Sequence, residues 1–206
     1  EIIVDVWGDG ILHETYGCTE VGLSTNLRPP MQLLKQQCVG LPFPYTQVRL
    51  LDDDGRDVPA GEIGELFTTS PYMFNGYWQD GARHVPPMRD GWFSAGDLAR
   101  QDDDGYVYIV DRKKDMIVTG GINVYPRQIE EVLYRHPAIG EVAVVGVPDP
   151  KWGERLRAYV VPRHGVTPTP DELIAHCSAV LSAYKVPREY EVIDALPRNA
   201  NGKVLK

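Results

Sequence analysis

Several short stretches carry residues of the types that do chemistry. In Tyr16-Gly17-Cys18-Thr19-Glu20 a hydroxyl sits beside a carboxylate, just after a glycine that lets main chain approach a ligand. Hydroxyl plus carboxylate is one way to hold a hydrated magnesium ion against a phosphate, and a plain polar loop has the same composition. Asp97, within Gly91-Trp92-Phe93-Ser94-Ala95-Gly96-Asp97-Leu98, is either a turn former or an acceptor for both hydroxyls of a ribose. Arg112 follows a strand end, and Gly120-Gly121 is either a tight turn or a narrow slot through which a thin ligand passes the main chain. Lys203 follows Asn201-Gly202 in a closing stretch of the kind that is usually frayed and solvated.

The elements that must position these residues change character along the chain. Up to Arg112 the pattern is strands and turns. Gln47-Val48-Arg49-Leu50-Leu51 and Ile63-Gly64-Glu65-Leu66-Phe67-Thr68-Thr69 read as hairpin partners. Asp52-Asp53-Asp54-Gly55 recurs as Asp102-Asp103-Asp104-Gly105, the second followed by the strand-like Tyr106-Val107-Tyr108-Ile109-Val110. Neither triplet is a calcium loop, because the position that needs Glu is filled by Ile63 or Lys113; Asp-Gly hairpin turns explain both. Beyond the charged run Asp111-Arg112-Lys113-Lys114-Asp115 strands alternate with helices. Pro126 opens a helix with Ile129, Val132 and Leu133 on one face. Glu141 to Val147 and Leu156 to Val161 read as strands. Thr169-Pro170-Asp171-Glu172 is a capping box that opens a helix whose apolar face runs from Leu173 to Tyr184.

A hydrophobic share of 43% over 206 residues suits one globular domain or two small ones, and no apolar run is long enough for a membrane-spanning helix. Three cysteines, Cys18, Cys38 and Cys177, form no CxxC pair and read as reduced thiols in a cytoplasmic setting. Up to Arg112 there are 8 basic against 18 acidic side chains, and from Lys113 onward 13 against 11. The overall acidity argues against nucleic acid as a partner.

The order of these motifs is more specific than any one of them. YGCTE, GEIGELFTTSPYMFNGYW, GWFSAGDLARQDDDGYVYIVDRKKDMIVTGGINVYPRQIEEVL and PRNANGK together resemble the adenylate-forming superfamily, and most closely its acyl- and aryl-CoA synthetases. The resemblance implies an acid–thiol ligase of the fatty-acid–CoA ligase type that uses ATP, Mg²⁺ and coenzyme A on a small carboxylic acid. It implies that Tyr16 and Gly17 lie beside the adenine, that Thr19 contacts phosphate, and that Glu20 holds the metal. It places Asp97 and Arg112 on the ribose, Lys114 at a hinge, and Gly120 and Gly121 along the pantetheine channel. Lys203 becomes the lysine that bridges the substrate carboxylate and the α-phosphate, carried on a domain that alternates between two half-reactions.

The expected fold class is α+β. Residues 1–110 are expected to be the distal part of a large domain, with a distorted antiparallel β-barrel-like unit over about 22–110. Residues 111–114 form the hinge and 115–206 the lid. The phosphate loop that such enzymes carry upstream of YGxTE is absent, so the chain reads as a fragment, inactive alone, with the Lys203 ammonium disordered or facing solvent. Two alternatives stand beside this reading: a free-standing acyl-AMP ligase that loads a carrier protein, and a non-catalytic binding module.

Overall fold

The computed structural model describes residues 5, 6, 8, 10–163 and 165–206. The chain divides into two compact units, one ending at Lys113 and the other starting at Lys114. The class is α+β with sheet predominating.

In the first unit β1 (Glu14–Cys18), β2 (Gly22–Leu27) and β3 (Leu41–Pro42) form an antiparallel sheet. A second sheet runs β4 (Gln47–Leu51), β5 (Ile63–Thr69), then β8 (Phe93–Gln101) and β9 (Val107–Arg112), after the separate hairpin β6 (Tyr77–Gln79) and β7 (Ala82–His84). Along β5 every second residue is buried, so Leu66 and Thr68 face inward as the pleat requires. Leu50, Leu66, Ala99 and Val107 make the core, with Tyr16, Val48 and Ile109 packed against it. The two sheets do not close into a barrel. Their backbones meet at the isolated bridge between Gly40 and Val107, where Val107 N–H donates to the Gly40 carbonyl at 2.9 Å.

Both DDDG stretches are the same turn. Gly55 N–H donates to Asp52 O at 3.0 Å and Gly105 N–H to Asp102 O at 2.9 Å, with both glycines left-handed at φ +82° and +86°. The Asp102 carboxylate accepts from the Tyr106 N–H, the Tyr108 hydroxyl and Lys35 Nζ, so it ties the turn to its own sheet.

The second unit is a five-stranded sheet with two helices. β10 (Ile117–Thr119) and β11 (Ile122–Val124) form a hairpin, followed by α1 (Pro126–Tyr134), β12 (Ile139–Asp149), β13 (Gly153–Pro162), α2 (Pro170–Ser178) and β14 (Glu189–Val192). The strand order is β11-β10-β13-β12, with β14 parallel to β13. Ile129 and Leu133 of α1 are fully buried one turn apart against Val144 and Val160. The capping box of α2 is complete: Thr169 N–H donates to Glu172 Oε2 at 2.8 Å, and Glu172 N–H to Thr169 Oγ1 at 3.3 Å.

That helix is shorter than its apolar spacing predicts. It stops at Ser178, leaving Val180 and Tyr184 exposed while Leu181 still packs on the core. Ser182 is extended (φ −62°, ψ 146°) and starts a separate short turn, so the helical run does not extend to Tyr184. Among the described residues no helix is long and apolar enough to cross a membrane.

Candidate active site

Tyr16, Asp97 and Arg112 form one cluster in the first unit. Asp97 of β8 and Arg112 of β9 are direct cross-strand partners, so the ladder sets their side chains next to each other. Arg112 Nε donates to Asp97 Oδ1 at 2.7 Å, and the Tyr16 hydroxyl donates to Asp97 Oδ2 at 2.5 Å. Asp97 is only 7% exposed, whereas the Arg112 side chain is 40% exposed and open on one side. Burial, and then the Asp97 carboxylate, push the Tyr16 phenol well above its ordinary range, so it remains a hydrogen-bond donor. Gly96, at φ +78°, supplies the left-handed residue just before Asp97.

The YGCTE turn lies at the β1–β2 junction. A Cβ on Gly17 would sit 2.0 Å from Gly22 O and 3.0 Å from Leu23 Cα, so the glycine is demanded by the approach of β2 at a bulge. Thr19 is exposed, and the Glu20 carboxylate accepts a hydrogen bond from the Tyr77 hydroxyl. That bond is the main cause of a Glu20 acidity below the usual carboxylate range, which keeps it ionised. An ionised carboxylate beside an exposed hydroxyl fits Mg²⁺, which takes oxygen ligands and keeps several waters.

The remaining sequence-derived residues lie in the second unit. Lys114 is exposed, 3.7 Å from Asp115. Gly120 and Gly121 are the turn of the β10–β11 hairpin with φ +58° and +79°, the paired left-handed conformation of a two-residue hairpin loop. Gly120, but not Gly121, also borders a cavity of about 550 Å³ lined by Ile122, Trp152, Arg155, Tyr184 and Arg188. A Cβ on Gly120 would come 2.9 Å from the Trp152 ring, while Gly120 N–H donates to Trp152 O at 2.8 Å. Arg155 on this wall pairs its Nη2 with Glu189 at 2.9 Å, and its Nε is buried without a partner among the described residues.

The closing stretch is folded where fraying was expected. Asn199 N–H donates to Lys203 O at 2.9 Å, Gly202 closes the turn at φ +78°, and Lys206 pairs with Glu130 at 2.6 Å. The Lys203 side chain itself is exposed and makes no ion pair among the described residues of its unit.

Sequence reasoning missed Tyr77, Trp152, Arg155 and Arg188. Only Trp152 had a local signal, an Asp149-Pro150-Lys151-Trp152-Gly153 turn in which Asp149 Oδ1 accepts from the backbone N–H groups of Lys151 and Trp152, both at 2.9 Å. The others reach their sites from elements distant in sequence.

Comparison with known proteins places these features in context. Residues 3–78 match the family model of AMP-binding enzymes, and residues 128–203 match that of the AMP-binding enzyme C-terminal domain. The chain is 44% identical over 195 residues to a long-chain-fatty-acid–CoA ligase of Yersinia pestis, covering 95% of this chain and 34% of that protein. It is 39% identical over 197 residues to the fatty acid–[acyl-carrier-protein] ligase ScoC of Streptomyces coeruleorubidus, covering 94% and 38%. Among solved structures it resembles o-succinylbenzoate CoA synthetase of Bacillus subtilis in complex with its acyl-adenylate intermediate, with a TM-score of 0.85, 34% identity, and coverage of 93% and 39%. The chain thus spans little more than a third of the length of the relatives it matches.

Proposed function

The chain belongs to the family of AMP-binding, adenylate-forming enzymes, and on that premise we propose that the whole protein is an ATP-dependent carboxylate–CoA ligase. A carboxylate oxygen attacks the α-phosphorus of ATP and pyrophosphate leaves. The thiol of coenzyme A then attacks the acyl carbon, gives up its proton to solvent, and AMP leaves with the bonding pair.

The observation that carries this reading is the Tyr16–Asp97–Arg112 cluster. A carboxylate offers about four acceptor sites, two on each oxygen. Tyr16 takes one on Oδ2 and Arg112 one on Oδ1, which leaves one on each oxygen for the two vicinal hydroxyls of a ribose. The exposed part of Arg112 donates on the same side. Tyr16 and Gly17 border the adenine. Thr19 and Glu20 attend the phosphates, where Mg²⁺, when bound, supplies the positive charge that offsets the triphosphate.

Lys203 supplies a flexible ammonium for the two anions that must meet during adenylation. Lys114 begins the second unit and serves as the pivot of the lid. The cavity bordered by Gly120, at the Gly120-Gly121 turn, takes the thiol substrate: a Trp face and two arginines suit a molecule with an apolar arm and a phosphorylated end. The free state of Cys18, Cys38 and Cys177 agrees with a reducing, cytoplasmic setting.

The test is carboxylate-dependent ATP–pyrophosphate exchange by the full-length protein over a panel of aliphatic and aromatic acids. Exchange with at least one acid is expected, and none with any of them rejects the ligase reading. The match to an acyl-carrier-protein ligase favours a second reading, in which the acceptor is a carrier protein. Comparing free coenzyme A with a phosphopantetheinylated carrier as acceptor separates the two.

A further inference from the structure

The segment Ser70-Pro71-Tyr72-Met73-Phe74-Asn75-Gly76-Tyr77 grips the turn that carries Thr19 and Glu20, and it does so at several independent points. Phe74 N–H donates to the Glu20 carbonyl at 2.9 Å. The Ser70 hydroxyl donates to the Val21 carbonyl at 3.2 Å and accepts from Tyr72 N–H at the same distance. The Tyr77 hydroxyl then reaches the Glu20 side chain itself, donating to Oε1. Backbone and carboxylate of one residue are therefore held from a single neighbouring segment.

Local chemistry explains why this segment can reach back. Gly76 lies at φ +131°, a conformation that only glycine adopts readily, and a Cβ there would come within 2.7 Å of His84 O. The chain thus turns sharply into β6, whose first residue is Tyr77. The Phe74 ring meets the Tyr77 ring edge-on, with centroids 4.8 Å apart at 73°, and this fixes the direction of the phenol. A free Glu side chain at a surface turn samples several rotamers. Here the phenol holds Oε1, and a hydrogen bond from the Cys18 thiol adds a second, weaker hold on the same carboxylate.

We propose that Tyr77 is a positioning residue for Glu20: by holding Oε1 it keeps the carboxylate in a single orientation for the divalent cation that accompanies the nucleotide. The inference rests on the reading of Glu20 as the metal-holding carboxylate. It predicts a specific defect. Without the hydroxyl, Glu20 must be ordered at the moment of metal binding, and the cost falls on the metal rather than on the carboxylic acid or the thiol.

The experiment uses the full-length protein and the variants Tyr77→Phe, Glu20→Gln, the double variant, and Trp78→Ala as a control. Trp78 sits on the same hairpin and is 76% exposed. Two quantities are measured: Mn²⁺ binding in the presence of ATP by electron paramagnetic resonance, and the half-saturating Mg²⁺ concentration in ATP–pyrophosphate exchange. Tyr77→Phe keeps the ring and its contact with Phe74, and is expected to weaken Mn²⁺ binding and raise half-saturating Mg²⁺ by about three- to tenfold, with the KM for the acid unchanged. Glu20→Gln is expected to weaken Mn²⁺ binding further, and the double variant to be no worse than Glu20→Gln alone. Wild-type Mn²⁺ binding by Tyr77→Phe, additive losses in the double variant, or an equal loss in Trp78→Ala overturns the role of Tyr77 while leaving Glu20 in place. Unchanged Mn²⁺ binding by Glu20→Gln overturns the metal role of Glu20 and the inference with it.

Discussion

Tyr16 and Asp97 are separated by 81 positions in the chain, yet the Tyr16 hydroxyl donates to Asp97 Oδ2 over 2.5 Å. The bond joins a strand of the small sheet to a strand of the larger one. It orients the carboxylate that Arg112 holds from the other side.

Tyr16→Phe keeps the ring against Leu50, Leu66, Ala99 and Val107 and removes only the hydroxyl. The Asp97 carboxylate then rotates more freely. The KM for ATP is expected to rise about three- to tenfold, the worth of one hydrogen bond to a charged group. The preference for ATP over 2′-deoxyATP should narrow with it. Steady-state kinetics with both nucleotides check this, and an unchanged ratio would remove the cluster from the ribose site.

Gly17→Ala places a methyl 2.0 Å from Gly22 O, against backbone that has no side-chain end to swing away. We expect the first unit to lose on the order of 1–3 kcal/mol of stability, read as a lower midpoint in urea unfolding. Gly61→Ala is the comparison, since a Cβ there meets nothing within 4 Å and only its left-handed φ of +85° is strained. The cost at Gly61 should be about 1 kcal/mol.

The Glu172 carboxylate is held below its ordinary value of 4.5, chiefly by the Thr169 N–H and then by the Thr169 hydroxyl. A depressed folded-state acidity contributes stability that is complete above the unfolded value and is lost as pH falls through the folded one. The second unit should therefore lose thermal stability as pH drops below about 4.5, and Glu172→Gln should flatten that part of the curve. Melting curves over roughly pH 3–6, the window in which a carboxylate titrates, are the measurement.

Lys203→Ala in the full-length protein should lower acyl-adenylate formation by about 10²- to 10³-fold, the scale of losing one transition-state charge partner. Thioester formation from supplied acyl-adenylate should be largely retained. Single-turnover assays of each half-reaction decide it, and equal losses in both would contradict the assignment.

Arg155→Ala should act on the other half-reaction. The residue lines the cavity beside Trp152, and its Nη2 pairs with Glu189 at 2.9 Å. The KM for coenzyme A should rise about tenfold or more, as for a lost charge-assisted hydrogen bond, with ATP–pyrophosphate exchange unchanged.

Local signals were sufficient for much of this molecule. Two Asp-Gly turns, a complete capping box, Pro126 at the start of α1 and the alternation in β5 all follow from neighbours within a few residues, and each is present in the structure. The same local logic overran at α2. There the apolar spacing continued to Tyr184, but the helix ended at Ser178, the extended Ser182 broke the run, and Val180 and Tyr184 were left exposed.

The candidate residues themselves were legible because their types and order are distinctive: Tyr16, Thr19, Glu20, Asp97, Arg112 and Lys203 all appear in the sequence as recognisable punctuation. What the sequence alone did not contain was the set of partners. That Arg112 stands opposite Asp97 depends on the register of β8 against β9, and a one-residue slip would turn the pair to opposite faces. That Tyr77 reaches Glu20 depends on Gly76 and on the segment before β6, which returns to the Glu20 turn through Phe74 N–H. The sequence determined which groups are available for chemistry; tertiary pairing decided which lone pairs and donors each of them has left to offer a ligand, because those are settled by strand register and loop return over tens of residues.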